Sequence, residues 1–470
     1  MKTKARIYLL DSQAYAPETI AVAFAKTSRS PEPFDQIANE LTAQKSAEFN
    51  EKWVVGYGHS SVAEHAVLHI ALENISRLAV ETLESNRLAS YTEKSTRYQT
   101  WQSDAFFTPP ELNGSPLLAR YTDLCDRLFA FYGRLIPRVF NVLAPDCPRR
   151  EEESEPAWKR RVQSTAVDAC RFVLPAAALA NVGMTINARA LEHAISKMLS
   201  SDLEEVRQIG AEVKAVAQRC VPTLVKYANA NPYPASAAAA ARSAAVPQAL
   251  AADWCRLVSA SAELEKNVLA AALYRFGSSD YAQCIAAVDA MRQPQKQELA
   301  RVLFGGCDRF TAPLREVEHS SFTFDITVDQ GAWYEIKRHR MATLTTQAFT
   351  PQLGYTLPRA IEQAGGGSEY AALMNECTAF FKAAEAVKPG IGAYALPNAF
   401  KRRFLLTANL RSLIHLINLR AAPNAHFSVR RLALRMAEQI QQTLPTFAPY
   451  LFCENSETWQ SIEEKYFAVQ

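Results

Sequence analysis

The chain has 470 residues, long enough for a large core and two or more domains. Apolar residues are 49% and charged residues 21%, which excludes a disordered chain, and 51 Lys plus Arg against 48 Asp plus Glu leave a net charge of +3. So small a charge gives no general pull toward nucleic acid or an anionic membrane, and an anionic ligand must be gripped locally. Nine scattered cysteines without C-x-x-C spacing point to a reducing compartment, with neither a disulfide framework nor a zinc knuckle. The opening MKTKARIYLLDSQAYA has too short an apolar run for a signal peptide, and no stretch has the length of a membrane helix. The expectation is a cytoplasmic protein with neither nucleic-acid nor membrane partners.

In chain order, AVLHIAL alternates and is rich in strand formers, then RLAVETL leads into SNRLASYTEKSTRY, Ser85 to Tyr98. Asn187 to Met198 has helical spacing after a Thr-x-Asn, and SDLEEVRQIGAEVKAVAQ continues as an amphipathic helix. Asn229 to Ala252, NANPYPASAAAAARSAAVPQALAA, reads as a linker; an Ala-rich helix is the competing reading. FTFDITV then alternates like AVLHIAL, KRHRMATLTTQAFTP follows, and Asn409 to Arg420 and SVRRLALRMAEQIQQTL repeat the two helical patterns.

The halves match in order. Glu64-His65 stands 254 positions before Glu318-His319, Arg87 stands 253 before Arg340, and Asn187 and Arg189 stand 222 before Asn409 and Arg411. RFVLP, from Arg171, matches YALPN. The expected organisation is a first unit over 1–230, a linker over 229–252 and a second unit over 253–470. The expected fold class is α+β, each unit a mixed sheet with long helices.

On an extended segment Glu93, Ser95 and Arg97 project to one side, and a hydroxyl beside a guanidinium is a good phosphate grip; a solvated loop is the plain alternative. Arg338-His339-Arg340 is a compact cationic cluster for phosphates or an electron-rich ring, or else a surface basic patch. His59, Glu64 and His65 lack the H-E-x-x-H spacing, so no metal is expected; His65 and His319 read as buried structural histidines.

These residues resemble the flavin-dependent thymidylate synthases, whose signature is R-H-R-x-x-S-x-N-E-x-S-x-R-Y. The first half keeps Arg87, Ser90, Glu93, Ser95, Arg97 and Tyr98, and has Ser85 and Asn86 in place of the leading Arg-His. The second keeps Arg338, His339 and Arg340, and has Thr346, Ala348, Thr350 and Pro351 in place of Glu, Ser, Arg and Tyr. The family's later block is nearly intact at NLRSLIHLINLRAAPNA and ends in Lys197-Met198 in the first half.

The resemblance implies FAD held by His59, Arg87, Asn187, Arg189, Arg338, His339, Arg340, Asn409, Arg411 and His415. It implies a uridine nucleotide monophosphate on Ser90, Glu93, Ser95, Arg97, Tyr98 and Arg171, with Arg420 and Arg338 catalytic. NADPH and methylenetetrahydrofolate are the implied co-substrates. The losses are complementary, which implies one site built from both halves and a homodimer that rebuilds a four-unit assembly. Two departures disturb the pattern: Ala393 replaces the counterpart of Arg171, and Glu335 replaces the family's Gln before the Arg cluster. A non-catalytic flavin- or nucleotide-binding paralogue is the alternative function.

Overall fold

The computed structural model describes residues 6–28, 30–97, 99–102, 104–244, 253–308, 311–452 and 456–468. Among the described residues seven strands form two sheets. β1 (Val67–Ser76), β2 (Ala89–Glu93) and β3 (Leu179–Asn187) lie in the order β1-β3-β2. β4 (Cys255–Ala260), β5 (Phe322–Asp329), β6 (Thr343–Thr346) and β7 (Lys401–Ala408) lie in the order β4-β5-β7-β6. Alternation builds them: Leu68, Ile70 and Leu72 of β1, and Phe322, Phe324, Ile326 and Val328 of β5, turn inward onto helices. The helices Ala188–Leu199 and Glu204–Ala217 cover the first sheet, and Leu410–Arg420 and Phe427–Thr443 the second. The architecture is α+β in two units. The sheets are antiparallel throughout rather than mixed: β1 and β2 run the same way but are kept apart by β3, which opposes both, as β7 lies between and opposes β5 and β6, and β4 opposes β5.

The registers repeat from one sheet to the other. Leu68 pairs with Ile186 as Phe322 pairs with Ala408, and Ser90 pairs with Thr185 as Thr343 pairs with Thr407. The slip from 254 to 253 in the sequence match is a bulge between Leu72 and Ile75, where Asn74 has a φ of 56°. Asn tolerates that left-handed conformation well.

The units meet about a pseudo-twofold axis between Pro175 and Pro397, which face each other in an antiparallel bridge. Ala176 N donates to Leu396 O and Asn398 N to Leu174 O, both at 2.9 Å; Ala177 N to Tyr394 O and Ala399 N to Phe172 O repeat the relation, also at 2.9 Å. Around these bonds one shared core takes Tyr121, Phe131 and Tyr132 from the first half and Tyr370, Phe380 and Tyr394 from the second. Burying large aromatics from both sides holds the units together through the hydrophobic effect.

Tyr233–Ser243, inside the stretch expected as a linker, is a helix with no buried side chain, as alanine's helix propensity favours; residues 245–252 lie outside the described residues. One local expectation fails. His65 and His319 are exposed, because each ends a short helical turn on the surface ahead of β1 and β5. Among the described residues no helix is long and apolar enough to cross a membrane.

Candidate active site

β2 stops at Glu93 instead of carrying an extended row on to Arg97. Ser95 Oγ accepts from the Arg97 amide at 3.2 Å and closes a turn, because a hydroxyl two residues back competes well for that N–H. The Glu93 carboxylate points inward. It pairs with Arg77 Nη1 at 3.1 Å and with Arg338 Nη2 at 2.8 Å, so the loop of the first half and the Arg-His-Arg segment of the second touch within one chain. Arg97 grips Asp168 with two bonds, Nε to Oδ1 at 2.9 Å and Nη2 to Oδ2 at 2.8 Å, and donates to the Asn424 carbonyl at 3.1 Å. Ser90 is exposed opposite Thr185 on the outer face of its sheet, away from Glu93. Tyr98 lies outside the described residues.

The second half brings its arginines in on helix ends. Asp329 Oδ1 caps the helix Gln330–Ile336 by accepting from Ala332 N at 2.9 Å, and the following turn presents Arg338, His339 and Arg340. Asn409 Oδ1 caps the helix Leu410–Arg420 by accepting from Ser412 N at 2.9 Å, and Arg420 ends it. Arg420 donates from Nε to His339 Nε2 at 2.9 Å, from Nη1 to Glu335 Oε2 at 3.2 Å and from Nη2 to the Glu335 carbonyl at 3.0 Å.

Arg171 crosses from the first half to the same carboxylate, Nη2 to Glu335 Oε1 at 3.0 Å. It passes Gly331, where a Cβ would stand 3.5 Å from Arg171 Nη2 and 3.0 Å from Asp329 Oδ1. Ala393 sits at the counterpart place across the axis, so its loss takes nothing from this cluster.

The electrostatics follow from burial and neighbours. Burial disfavours the Glu93 carboxylate, but Arg77, Lys337 and Arg338 outweigh it and hold its pKa below the ordinary value. Glu335 is held low in the same way, against burial, by Arg171, Arg420 and Arg97. Burial, with Arg420 and His415, pushes His339 down to about 3. A neutral imidazole that accepts at Nε2 carries its proton on Nδ1. His426 is buried behind Asp168. Its Nδ1 accepts from Ser428 N at 3.1 Å and its Nε2 lies 3.1 Å from the Asp168 carbonyl, while burial, Arg171 and Arg97 push its pKa well down.

Beside the cluster opens a cavity of about 1150 Å³. Arg338, His339, Arg340, Arg411, His415 and Arg420 line it from the second half, with Arg87 and Leu88 from the first. Cys307, Thr311, Tyr450 and Phe452 form another wall. Four guanidiniums of the lining besides Arg420 suit a ligand with phosphates, and the size exceeds an ordinary small-molecule pocket, so the residues present fit a flavin dinucleotide. Arg411 lines the cavity while donating to the Pro313 carbonyl at 2.8 Å. Arg340 Nη1 donates to the Arg87 carbonyl at 3.1 Å, and Arg87 Nη2 to Thr343 Oγ1 at 3.1 Å, so the two counterparts lace the edge strands together.

His59, Asn187 and Arg189 are not brought to this cavity. Asn187 Oδ1 caps the helix Ala188–Leu199, Arg189 pairs with Glu64 as Arg411 pairs with Glu318, and His59 is exposed beside Trp53. Asp168, Arg77 and His426 were not foreseen from sequence. Asp168 did leave a signal, an acid inside the apolar run AVDACRFVLP.

The model of the family described as thymidylate synthase complementing protein matches residues 9–223 and again residues 256–446. The chain belongs to this family. A UPF0159 protein of Chlamydia muridarum is 28% identical over 89% of this chain and 83% of its own length. A UPF0159 protein of Thermoplasma acidophilum is 27% identical over 87% of this chain and 89% of its own. A flavin-dependent thymidylate synthase of Clostridium tetani is 24% identical over 45% of this chain and 82% of its own length, the span of one unit.

Proposed function

We propose that the chain is a flavin-dependent thymidylate synthase-like enzyme. In this reading it binds FAD in the cavity and reductively methylates dUMP or a related uridine nucleotide, with NADPH and methylenetetrahydrofolate as co-substrates. The observation that carries it is the contact of Glu93 with Arg338, which joins the loop kept by one half to the cluster kept by the other.

Arg97 and Arg171 hold the nucleotide on the first-half side, with Glu93 and Ser95 shaping the loop. When bound, the flavin supplies hydride chemistry. Arg338 and Arg420 stabilise negative charge as it develops on the pyrimidine; charge-assisted donors in a water-poor site are effective there. His339, neutral, cannot give Arg420 a proton at Nε2 and instead fixes the direction of its Nε–H. In this reading His59 and Arg189 serve the cavity of a second chain, and the working form is a homodimer with two complete sites.

A protein that purifies yellow with FAD, is bleached by NADPH and turns over dUMP meets this reading. A colourless protein that FAD does not reconstitute ends it. One observation favours the second reading, a non-catalytic paralogue: Arg97, Arg171, Arg338 and Arg420 each already have a carboxylate partner. FAD and nucleotide binding without flavin oxidation would select that reading.

A further inference from the structure

The charges at the junction of the halves are paired internally, and one carboxylate does most of the pairing. Glu335 takes Arg171 on Oε1 at 3.0 Å and Arg420 on Oε2 at 3.2 Å, one arginine from each half. The side chains of Arg171, Glu335 and Arg420 are 4%, 10% and 15% exposed, so little water remains to screen a further charge. Arg97 is held by Asp168 and Arg338 by Glu93.

A carboxylate in this position has two effects. It fixes the spacing of two guanidiniums from opposite halves, and it engages the N–H groups that an incoming phosphate needs. A phosphate set between Arg171 and Arg420 would bring its own negative charge against Glu335 with little solvent between them. A group that donates hydrogen bonds meets no such repulsion, because each carboxylate oxygen can accept a second bond. Arg97 differs. Its side chain is 19% exposed and its partner Asp168 12%, so an anion can approach that end from solvent.

We propose that Glu335 is the specificity-determining residue of this site. It bars a phosphate dianion from the Arg171–Arg420 pair and admits there an uncharged, hydrogen-bond-donating part of the ligand, a ring N–H or a sugar hydroxyl, leaving phosphate to Arg97. This rests on the reading of the cluster as a nucleotide site, but its test does not need turnover.

The test is calorimetric titration of inorganic phosphate, dUMP and deoxyuridine into the wild type, Glu335→Gln and Glu335→Asp. Gln keeps the shape and drops the charge; Asp keeps the charge. Glu335→Gln should bind inorganic phosphate about tenfold tighter and raise the preference for dUMP over deoxyuridine by about the same factor, with Glu335→Asp staying near wild type. Unchanged or weaker phosphate binding by a folded Glu335→Gln overturns the proposal. If that variant does not fold, Arg97→Ala decides, read as dUMP against deoxyuridine so that phosphate bound by the cavity arginines drops out: only the barred pair is left beside the nucleotide, so the preference for dUMP should vanish, and a preference within about threefold of wild type overturns the proposal. A protein inactive with every nucleotide would end the enzymatic reading while leaving the phosphate titrations to judge Glu335.

Discussion

Ser76 and Asp329 close β1 and β5 at the same place, and each caps the helix that follows, Ser76 Oγ accepting from Ala79 N and Asp329 Oδ1 from Ala332 N. Each also meets a buried partner of the opposite kind. Ser76 Oγ donates to Glu205 at 2.6 Å, while Asp329 accepts from Ser428. Hydroxyl and acid have changed sides, yet the buried bond survives in both halves, because an orphaned carboxyl there would cost about 1–3 kcal/mol.

The site residues follow a different rule. On one side of the axis Arg338, His339 and Arg420 face Glu93, Arg97 and Arg171. On the other side the counterparts are Ser85, Asn86 and Met198, and Thr346, Thr350 and Ala393. Asn86 is buried and donates to the Leu83 carbonyl at 2.9 Å, Ser85 to the Thr82 carbonyl at 2.6 Å, and Met198 joins the core. Leu78 stands where Gly331 lets Arg171 pass, and it packs against the core that holds Ala393. Positions that build the framework keep a partner in both halves; the charged positions of the cluster at the junction keep theirs once.

The largest break in that asymmetry should come from Arg338→Ala. Its side chain is 45% exposed and Arg77 stays paired with the buried Glu93, so the variant should fold, and the loss of one transition-state donor costs about 10²–10³ in kcat. Ser85→Ala should leave kcat unchanged. Because Glu93 and Arg338 meet within one chain, mixing Arg97→Ala chains with Arg338→Ala chains should restore no activity; recovery to about half of wild type would place loop and cluster on different chains.

Arg97→Ala comes next. A charge-assisted bond to phosphate is worth about 1.5–3 kcal/mol, so nucleotide binding should weaken at least about tenfold by calorimetry. Thr350→Ala should do nothing, and equal effects would mean that the halves are not specialised. Gly331→Ala should act more gently, pressing on Arg171 and weakening nucleotide binding by roughly the tenfold that about 1.4 kcal/mol represents, or less. Leu78→Ala on the other side should cost stability instead, because it removes packing.

Much of the framework was legible because strand alternation and helix spacing are local, and the offsets of 254, 253 and 222 reappear as strand registers. The union of the two halves' motifs was also legible, through complementary loss. What was not legible is long-range. Nothing near Ala393 in the sequence says that Arg171 reaches across the axis to Glu335. Nothing near Arg97 marks Asp168 as its partner. Asn187 and Asn409 match the family block, yet their side chains are spent on helix caps, a local role that spacing cannot separate from ligand binding. The exposed His65 and His319 show the same weakness, since a matched pair says that a position recurs and not that it is buried.

The smallest expected effect concerns protons. His339 lies in the charged cluster at the place of Asn86, a residue that does not titrate. Burial, Arg420 and His415 push His339 down to about 3, while in the unfolded chain it returns to about 6.5. The folded-state value is depressed, so the unfolded state binds the proton first. The contribution of His339 is therefore complete above about pH 6.5 and is lost as pH falls toward 3, at roughly 1.4 kcal/mol per pH unit for one proton. Glu205 and Asp329, raised by burial, titrate in the opposite sense, so the slope of the wild type alone does not isolate the histidine. The difference from His339→Asn, which imports the residue of the other half, does. Denaturant unfolding at pH 6 and pH 5 should show the wild type losing about 1 kcal/mol more than the variant over that interval. Parallel losses would mean that His339 is already charged in the folded protein, and that the hydrogen bond from Arg420 to its Nε2 is not what holds the arginine in place.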